Sequence, residues 1–316
     1  MLIGFLHQTH QKTHSPHKRF CVTQASRFSG IFTALITPFA NGAVDEDAFR
    51  ALVEWQVAEG INGLVPCGTT GESPTLSHAE HMRVVELCVE AAAGNVPVMA
   101  GSGSNSTEEA IFLTRHAQEA GADAALVVAP YYNKPSQEGM YQHFRSVAES
   151  VDIPIFIYNI PGRSVVNVSD ETLAKLAKIS NIMGVKDATG DLCRPLTLRA
   201  QGCHDFIQLS GEDMTAVAFN ASGGVGCISV TSNIAPKLCA EVQAASLAGD
   251  YATALQKHER LVPLHQALFS ETSPSPVKYA ASLLEKSSMD VRLPLVKAST
   301  ECQKRVHAAM KTLGIV

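Results

Sequence analysis

Ile182-Met183-Gly184-Val185-Lys186-Asp187-Ala188-Thr189-Gly190 is the stretch from which the rest of the chain can be read. Its apolar run is continuous, not alternating, which suits a parallel strand covered on both faces. A lysine and an aspartate close the run, and a turn ending in glycine follows. The same unit recurs from residue 30 onward: a short apolar strand, a loop rich in Gly, Pro or Thr, then an amphipathic helix. Strands are predicted over 31–37, 63–67, 96–101, 124–129, 153–159, 182–186, 206–210 and 225–230. Eight units, roughly 20 to 35 residues apart, fit an α/β fold of the closed (β/α)8 TIM-barrel kind. An open doubly wound sheet is the competitor, but it would usually carry a Gly-rich nucleotide loop after its first strand. Here the first strand runs into Pro38-Phe39-Ala40-Asn41 instead.

The helices between the strands carry start and stop signals. Asp45 precedes a helix with Phe49, Leu52, Val53 and Val57 on one face, and Gly60 ends it. Ser77-His78-Ala79-Glu80 reads as a capping box, opening a helix with Val84, Val85, Cys88 and Ala91 inward. Thr107 opens a third, with Ala110, Leu113, Thr114 and Ala117 on one side and Gly121 past its end. Ser136 and Ser169 are further N-caps. Beyond strand eight the chain reads as three or four helices, clearest over 250–264, 276–284 and 295–313. The expected organisation is a flexible N-terminal extension (1–27), a catalytic barrel (28–235) and a C-terminal helical extension (236–316).

With 316 residues, 46% hydrophobic and 17% charged, the chain has the make-up of a globular protein with a large core. A net charge of −5 gives no basic excess for nucleic acid or an anionic membrane, so neither is expected as a partner. No run of about twenty apolar residues suggests a membrane span. The eight cysteines are scattered without a C-x-x-C pair, which reads as free thiols in a reducing compartment, the cytoplasm. No acidic residue precedes Asp45, and His7, His10, His14 and His17 accompany Lys12, Lys18, Arg19 and Arg27. An organelle transit peptide is one reading of such a start. The segment is poor in serine and lacks an amphipathic arginine pattern, so a flexible tail or an over-long translation start is preferred; a short plastid transit peptide is the fallback.

Catalytic groups of a barrel belong at the C-terminal ends of its strands and in the loops that follow. Lys186, ending strand six, would place an amine inside or just above the barrel, where a neutral amine can attack a ketone to form an imine. The plainer reading is a surface lysine paired with Asp187. Strand two ends in Gly68-Thr69-Thr70-Gly71-Glu72, a tight turn whose hydroxyls and N–H groups suit a small carboxylate, though an ordinary polar turn reads the same. Strand five ends in Tyr158-Asn159-Ile160-Pro161-Gly162-Arg163, where Tyr158 could relay a proton and Arg163 could clamp a carboxylate. A buried tyrosine satisfied by a backbone carbonyl is the alternative there. Strand four ends in Pro130-Tyr131-Tyr132-Asn133-Lys134-Pro135, an aromatic loop able to reach a neighbouring subunit.

These blocks, with Gly184-Val185-Lys186-Asp187 and the 223–230 run Gly223-Gly224-Val225-Gly226-Cys227-Ile228-Ser229-Val230, resemble the dihydrodipicolinate synthase (4-hydroxy-tetrahydrodipicolinate synthase) family of the N-acetylneuraminate lyase superfamily. The resemblance runs from about residue 28 to the C-terminus. It implies a lyase of the class I aldolase kind, condensing pyruvate with L-aspartate 4-semialdehyde in the diaminopimelate route to lysine. Lys186 would form the Schiff base, with Thr69, Tyr132 and Tyr158 as a proton relay and Tyr132 reaching in from a partner subunit. Thr69 and Thr70 would hold the pyruvate carboxylate, Arg163 that of the semialdehyde, and Gly211 and Ile228 would line the site. No metal or organic cofactor is implied, because the lysine imine is itself the electron sink. A homotetramer, a dimer of two tight dimers, is the implied assembly.

A sister enzyme, an N-acetylneuraminate lyase or keto-deoxy-sugar-acid aldolase, would share Lys186 and Tyr158. Thr70 and Arg163 favour the synthase. A non-catalytic barrel would be expected to have lost Lys186, Tyr158 or Arg163. A metal-dependent aldolase is suggested only by His78-Ala79-Glu80-His81, whose spacing is neither H-E-x-x-H nor H-x-x-E-H. By resemblance, Ser73, Pro74, His78, His81, Asn105, Glu109 and Tyr131 match a site where lysine acts as feedback inhibitor. Glu109 would meet its amino group, and Tyr131 and Asn105 its carboxylate. A solvated helix face is the alternative for the two histidines.

Overall fold

Each of the eight apolar runs forms a parallel strand: β1 (Gly30–Ala34), β2 (Gly63–Val65), β3 (Met99–Gly101), β4 (Ala124–Val128), β5 (Ile155–Asn159), β6 (Ile182–Asp187), β7 (Ile207–Ser210) and β8 (Gly226–Ser229). The computed structural model describes residues 27–316, so the expected N-terminal extension, Arg27 apart, lies outside the described residues. Several strands are shorter than the apolar runs that contain them. Pro66, Pro97 and Pro154 stand at those edges, and a proline has no N–H to give to a ladder.

The sheet order is β2-β1-β8-β7-β6-β5-β4-β3, every pair parallel. Its two ends meet through a parallel bridge between Leu64 and Val98. Leu64 N–H donates to Pro97 O at 3.0 Å and Gly101 N–H to Pro66 O at 2.9 Å across the same seam. The strands thus close on themselves as a TIM barrel, and no open edge is left for the doubly wound alternative.

Around them run α1 (Glu46–Ala58), α2 (His78–Ala92), α3 (Thr107–Glu119), α4 (Gln137–Ala148), α5 (Asp170–Leu176), α6 (Arg194–Ala200), α7 (Ala216–Ala221) and α8 (Pro236–Leu247). A single helical turn, Pro161–Ser164, lies between β5 and α5. The expected caps form: Asp45 accepts from Ala48 N–H, Ser136 from Gly139 N–H and Ser169 from Thr172 N–H. The Ser77–Glu80 capping box is reciprocal. At α3 the cap position is Ser106; Thr107 is the first helical residue, its hydroxyl 3.0 Å from His143 Nδ1. The loop expected after β1 contains a small antiparallel ribbon, Phe39–Ala40 with Ala43–Val44. Asn41 and Gly42 turn it with φ of 53° and 83°, the left-handed pair that a two-residue hairpin uses.

The helix α8 lies against β1 and β8, and α9 (Tyr251–Leu268), α10 (Ser275–Leu283) and α11 (Thr300–Thr312) pack beyond it. The last helix is shorter than expected. Residues 295–299 are not helical, because the Ser299 hydroxyl accepts from Cys302 N–H and sets the start there. Inside the barrel Phe32, Met99, Leu126, Phe156, Tyr158, Leu209 and Ile228 form one buried cluster. Phe28, just before β1, adds its ring to Phe32 and Phe156 at centroid distances of 6.3 and 5.1 Å. This packed interior is the floor on which the strand ends present their side chains. Among the described residues no helix is long and apolar enough to cross a membrane.

Candidate active site

The end of β6 aims Lys186 into the barrel. A Cβ on Gly184 would fall 2.2 Å from Ile207 O and 2.7 Å from the Phe156 ring, so that face of the strand is filled by Phe156. Side chains alternate along a strand, and Lys186, two residues on, shares the inward face. It is only 6% exposed, and its Nζ lies 4.1 Å from the centre of the Tyr158 ring. Tyr158 is its register partner on β5 and is equally buried. The ring face thus bounds the Lys186 amine on one side.

Asp187 points the other way. It pairs with Arg194 Nε at 2.9 Å and accepts from Thr189 N–H at 2.9 Å and Thr189 Oγ1 at 2.6 Å. Arg194 also binds Asp170 at 2.9 Å. The plainer reading, Lys186 as the surface partner of Asp187, is thereby set aside. Gly211, just past β7, donates its N–H to Asp187 O at 2.6 Å. A Cβ there would lie 3.1 Å from Lys186 Cε and 2.8 Å from Ala188 Cβ, so glycine leaves room for the lysine stem.

After β2 the chain turns tightly. Gly71 N–H and Ser73 N–H both donate to Gly68 O, at 3.1 and 3.4 Å, and Glu72 N–H donates to Thr69 O at 3.2 Å. The Thr37 hydroxyl, three residues past β1, anchors the turn by donating to Gly71 O at 2.8 Å. Thr69 is half-buried and Thr70 buried.

A cavity of about 460 Å³ opens above this floor. It brings together Thr69, Tyr158 and Arg163 with Ser73, Pro74, His78, His81, Glu109 and Tyr131, the two sets that the sequence reading kept apart. Thr70, Lys186, Gly211 and Ile228 lie outside its lining: Lys186 touches the Tyr158 ring, and Ile228 belongs to the buried cluster around Tyr158. Asn105 is also outside it, its carbonyl accepting from Asn133 Nδ2 at 2.8 Å. Tyr132 stands apart. It is 89% exposed, with φ at 72°, and does not join Thr69 and Tyr158 within one chain.

The electrostatics of the outer half are distinct. His78 Nε2 lies 2.7 Å from Glu109 Oε1, and the Ser104 hydroxyl also binds Glu109. These contacts, that of Ser104 first, hold the Glu109 carboxyl below its usual range. Burial, then the charge of Glu109, raises the Tyr131 phenol. Burial pushes His81 down to about 4, so its imidazole is neutral at physiological pH. His78 and His81 are thus a pair with different roles, one bonded to a carboxylate and one sunk in the wall.

Residues 27–313 match the Dihydrodipicolinate synthetase family. The chain belongs to that family. A 4-hydroxy-tetrahydrodipicolinate synthase of Rhodospirillum centenum is 62% identical over 289 residues, covering 92% of this chain and 99% of the relative. Among solved structures, the chloride-inhibited dihydrodipicolinate synthase of Acinetobacter baumannii complexed with pyruvate is 43% identical with a TM-score of 0.89, over 91% of this chain and 99% of that one. The lysine-bound enzyme of Cyanidioschyzon merolae is 36% identical with a TM-score of 0.89, over 92% and 99%. The family is one of aldolase-like lyases.

Some residues of this family member escape the sequence reading. Ser102, Leu126, Val128, Ile160 and Ser164 also line the cavity. Ser102, Val128 and Ile160 sit at or just past strand ends, a signal that the sequence carries, whereas Leu126 is mid-strand and Ser164 ends the helical turn after β5. Glu212, next to Gly211, is partly buried, and burial followed by the charge of Asp213 raises its carboxyl. Lys278, fully buried on α10 against Glu72, had no local signal beyond a lysine set in an apolar helix.

Proposed function

We propose that this chain acts as a 4-hydroxy-tetrahydrodipicolinate synthase, condensing pyruvate with L-aspartate 4-semialdehyde on Lys186. The observation that supports this most is the buried Lys186 side chain, its Nζ against the Tyr158 ring, beside a cavity with Thr69 and Arg163 in its wall. Lys186 Nζ adds to the pyruvate ketone, water leaves, and a protonated imine forms. The imine draws electrons from the methyl group, which loses a proton to give the enamine. The enamine carbon attacks the aldehyde carbon, and the new alkoxide takes a proton. The amine of the former semialdehyde then adds to the imine carbon and expels Lys186, closing the ring.

Thr69 and Thr70 hold the pyruvate carboxylate in this reading, Arg163 takes the second carboxylate, and Tyr158 with Thr69 moves protons. Gly211 and Ile228 shape the floor. Tyr132 completes the relay from a partner subunit, which its exposure at the tip of its loop supports. A homotetramer built from tight dimers would supply that partner. Lysine acts as feedback inhibitor at Ser73, Pro74, His78, His81, Asn105, Glu109 and Tyr131, supported by the lysine bound in the Cyanidioschyzon merolae enzyme. A cytoplasmic location suits the free thiols Cys67, Cys88, Cys193, Cys203, Cys227, Cys239 and Cys302.

The test is borohydride trapping with pyruvate, read by intact mass and peptide mapping, followed by turnover of the semialdehyde. An adduct on Lys186 with turnover supports the synthase. An adduct without turnover moves the assignment to a sugar-acid aldolase, and folded protein without adduct refutes the Schiff base. For the effector site, an initial rate unmoved by millimolar lysine refutes the inhibition alone.

A further inference from the structure

The loop that would hold the pyruvate carboxylate is gripped from the far end of the chain. Glu72 lies three residues past Thr69, with φ at 56°, a left-handed conformation that a non-glycine residue adopts only under constraint. Its carboxylate is fully buried, with Oε1 2.6 Å from Lys278 Nζ, which is fully buried too. Glu72 Oε2 accepts from Arg292 N–H at 2.9 Å. Lys278 donates as well to Asp290 O at 2.7 Å and lies 3.9 Å from the centre of the Phe39 ring. Arg292 stacks on the same ring at 4.4 Å and binds Glu80 at 2.5 Å and Thr75 O at 2.9 Å.

A buried ion pair is a poor way to gain stability, since apolar residues of the same volume often do as well or better. What a pair of this kind supplies is geometry: one carboxylate position, fixed by donors on two sides. Here the fixed group belongs to the turn that carries Thr69 and Thr70. Burial draws the Lys278 ammonium down to about 8 against the pull of Glu72, in keeping with a pair removed from water.

We propose that Lys278 is a positioning residue for pyruvate, acting through Glu72 to set the Thr69 and Thr70 hydroxyls at the carboxylate-binding turn. The inference rests on the reading of Lys186 and pyruvate given above. Its substrate signature is selective: the pyruvate end of the site depends on the pair, while the Arg163 end, carried by the turn after β5, does not.

Three variants test it, each checked for folding by circular dichroism and thermal melting. Glu72→Asp keeps both charges but shortens the tether by about 1.5 Å, one carbon–carbon bond. Lys278→Met removes the cation in a similar volume. Glu72→Gln with Lys278→Met neutralises both partners, the change a buried pair tolerates best, and serves where a single variant does not fold. The pyruvate concentration giving half-maximal borohydride trapping on Lys186 is expected to rise about tenfold or more in each folded variant, while the KM for the semialdehyde stays within about twofold. A purely structural pair would lower the melting temperature and leave the trapping curve in place, and that result overturns the proposal. So does a KM for the semialdehyde that rises in step with that for pyruvate. A parent protein that traps no adduct overturns this inference together with the Schiff-base reading, whereas a parent that traps and variants that trap identically overturn the inference alone.

Discussion

Gly211→Ala isolates the fit between the end of β7 and the lysine stem. The new Cβ would sit 2.8 Å from Ala188 Cβ, 3.1 Å from Asp187 O and 3.1 Å from Lys186 Cε. Ordinary carbon–carbon contact is about 3.5 Å or more, so the nearest pair is short by about 0.7 Å. Two of the three neighbours are backbone or a Cβ and cannot rotate aside. The strand ends must part against the 2.6 Å bond from Gly211 N–H to Asp187 O, or the lysine stem must tilt. Overpacking of this kind costs about 1–3 kcal/mol in stability. A displacement approaching 1 Å at a reacting amine costs up to about a hundredfold in rate. The expected outcome is a 10- to 100-fold slower adduct formation with pyruvate, about 1.4–2.7 kcal/mol in the barrier, with a lowered urea midpoint. Rapid-quench borohydride trapping reads the first and fluorescence-monitored unfolding the second. A variant with the parental trapping rate would refute the claim that Gly211 is required by the lysine stem.

Acid should weaken the fold through two buried imidazoles. Burial lowers His81 and His143 from an ordinary value near 6.5 to about 4 each, so the unfolded chain binds their protons first as pH falls. Their stabilising contribution is complete above 6.5 and is lost progressively down to about 4; at pH 5 the loss is about 2 kcal/mol per histidine. Urea unfolding at pH 7.5 and pH 5 measures it, and a His81→Gln, His143→Gln double variant with an unchanged pH dependence would contradict it. Arg163→Ala should raise the KM for the semialdehyde by about 10- to 100-fold, the worth of a charge-assisted hydrogen bond, with pyruvate trapping unmoved. Tyr132→Phe, at an exposed position, should leave the folding stability nearly unchanged, within about 0.5 kcal/mol, while slowing turnover. Full turnover in that variant removes its hydroxyl from the proton relay.

The fold was legible because a parallel barrel writes itself as continuous apolar runs at regular spacing, and all eight runs became strands. What the pattern could not give was where within each run the strand begins and ends. Pro97 and Pro154 shorten strands three and five from within an apolar stretch, since hydropathy registers the side chain and not the missing N–H. The Asn41-Gly42 hairpin was also readable, yet its strands are two residues each and fall below any periodicity. Lys186 and Tyr158 were legible as strand-end polar residues, and register made them neighbours. Tyr132 could be named but not placed, because a single chain leaves it in solvent.

The two halves of the cavity follow from one short stretch of chain. Thr69, Ser73 and Pro74 line the same cavity as Tyr158, His78 and Glu109, and only three residues separate Thr69 from Ser73. Between them stands Glu72, held by Lys278 and Arg292, and beyond them Glu80, whose carboxyl Arg292 draws down to about 2. Arg292 therefore touches both the turn and the first turn of α2, on which His78 and His81 ride. A ligand that pulls on His78, directly or through its contact with Glu109, has a covalent path back along residues 70–78 to the threonines and a second, non-covalent path through Glu80 and Arg292. Coupling between an effector bound at His78 and Glu109 and a substrate bound at the threonines would therefore need no subunit rearrangement. Arg292→Lys, which keeps the charge but loses the forked contact to Glu80, should weaken inhibition by lysine more than it changes pyruvate trapping. Equal loss of both in that variant would mean that Arg292 merely holds the loop and carries no signal.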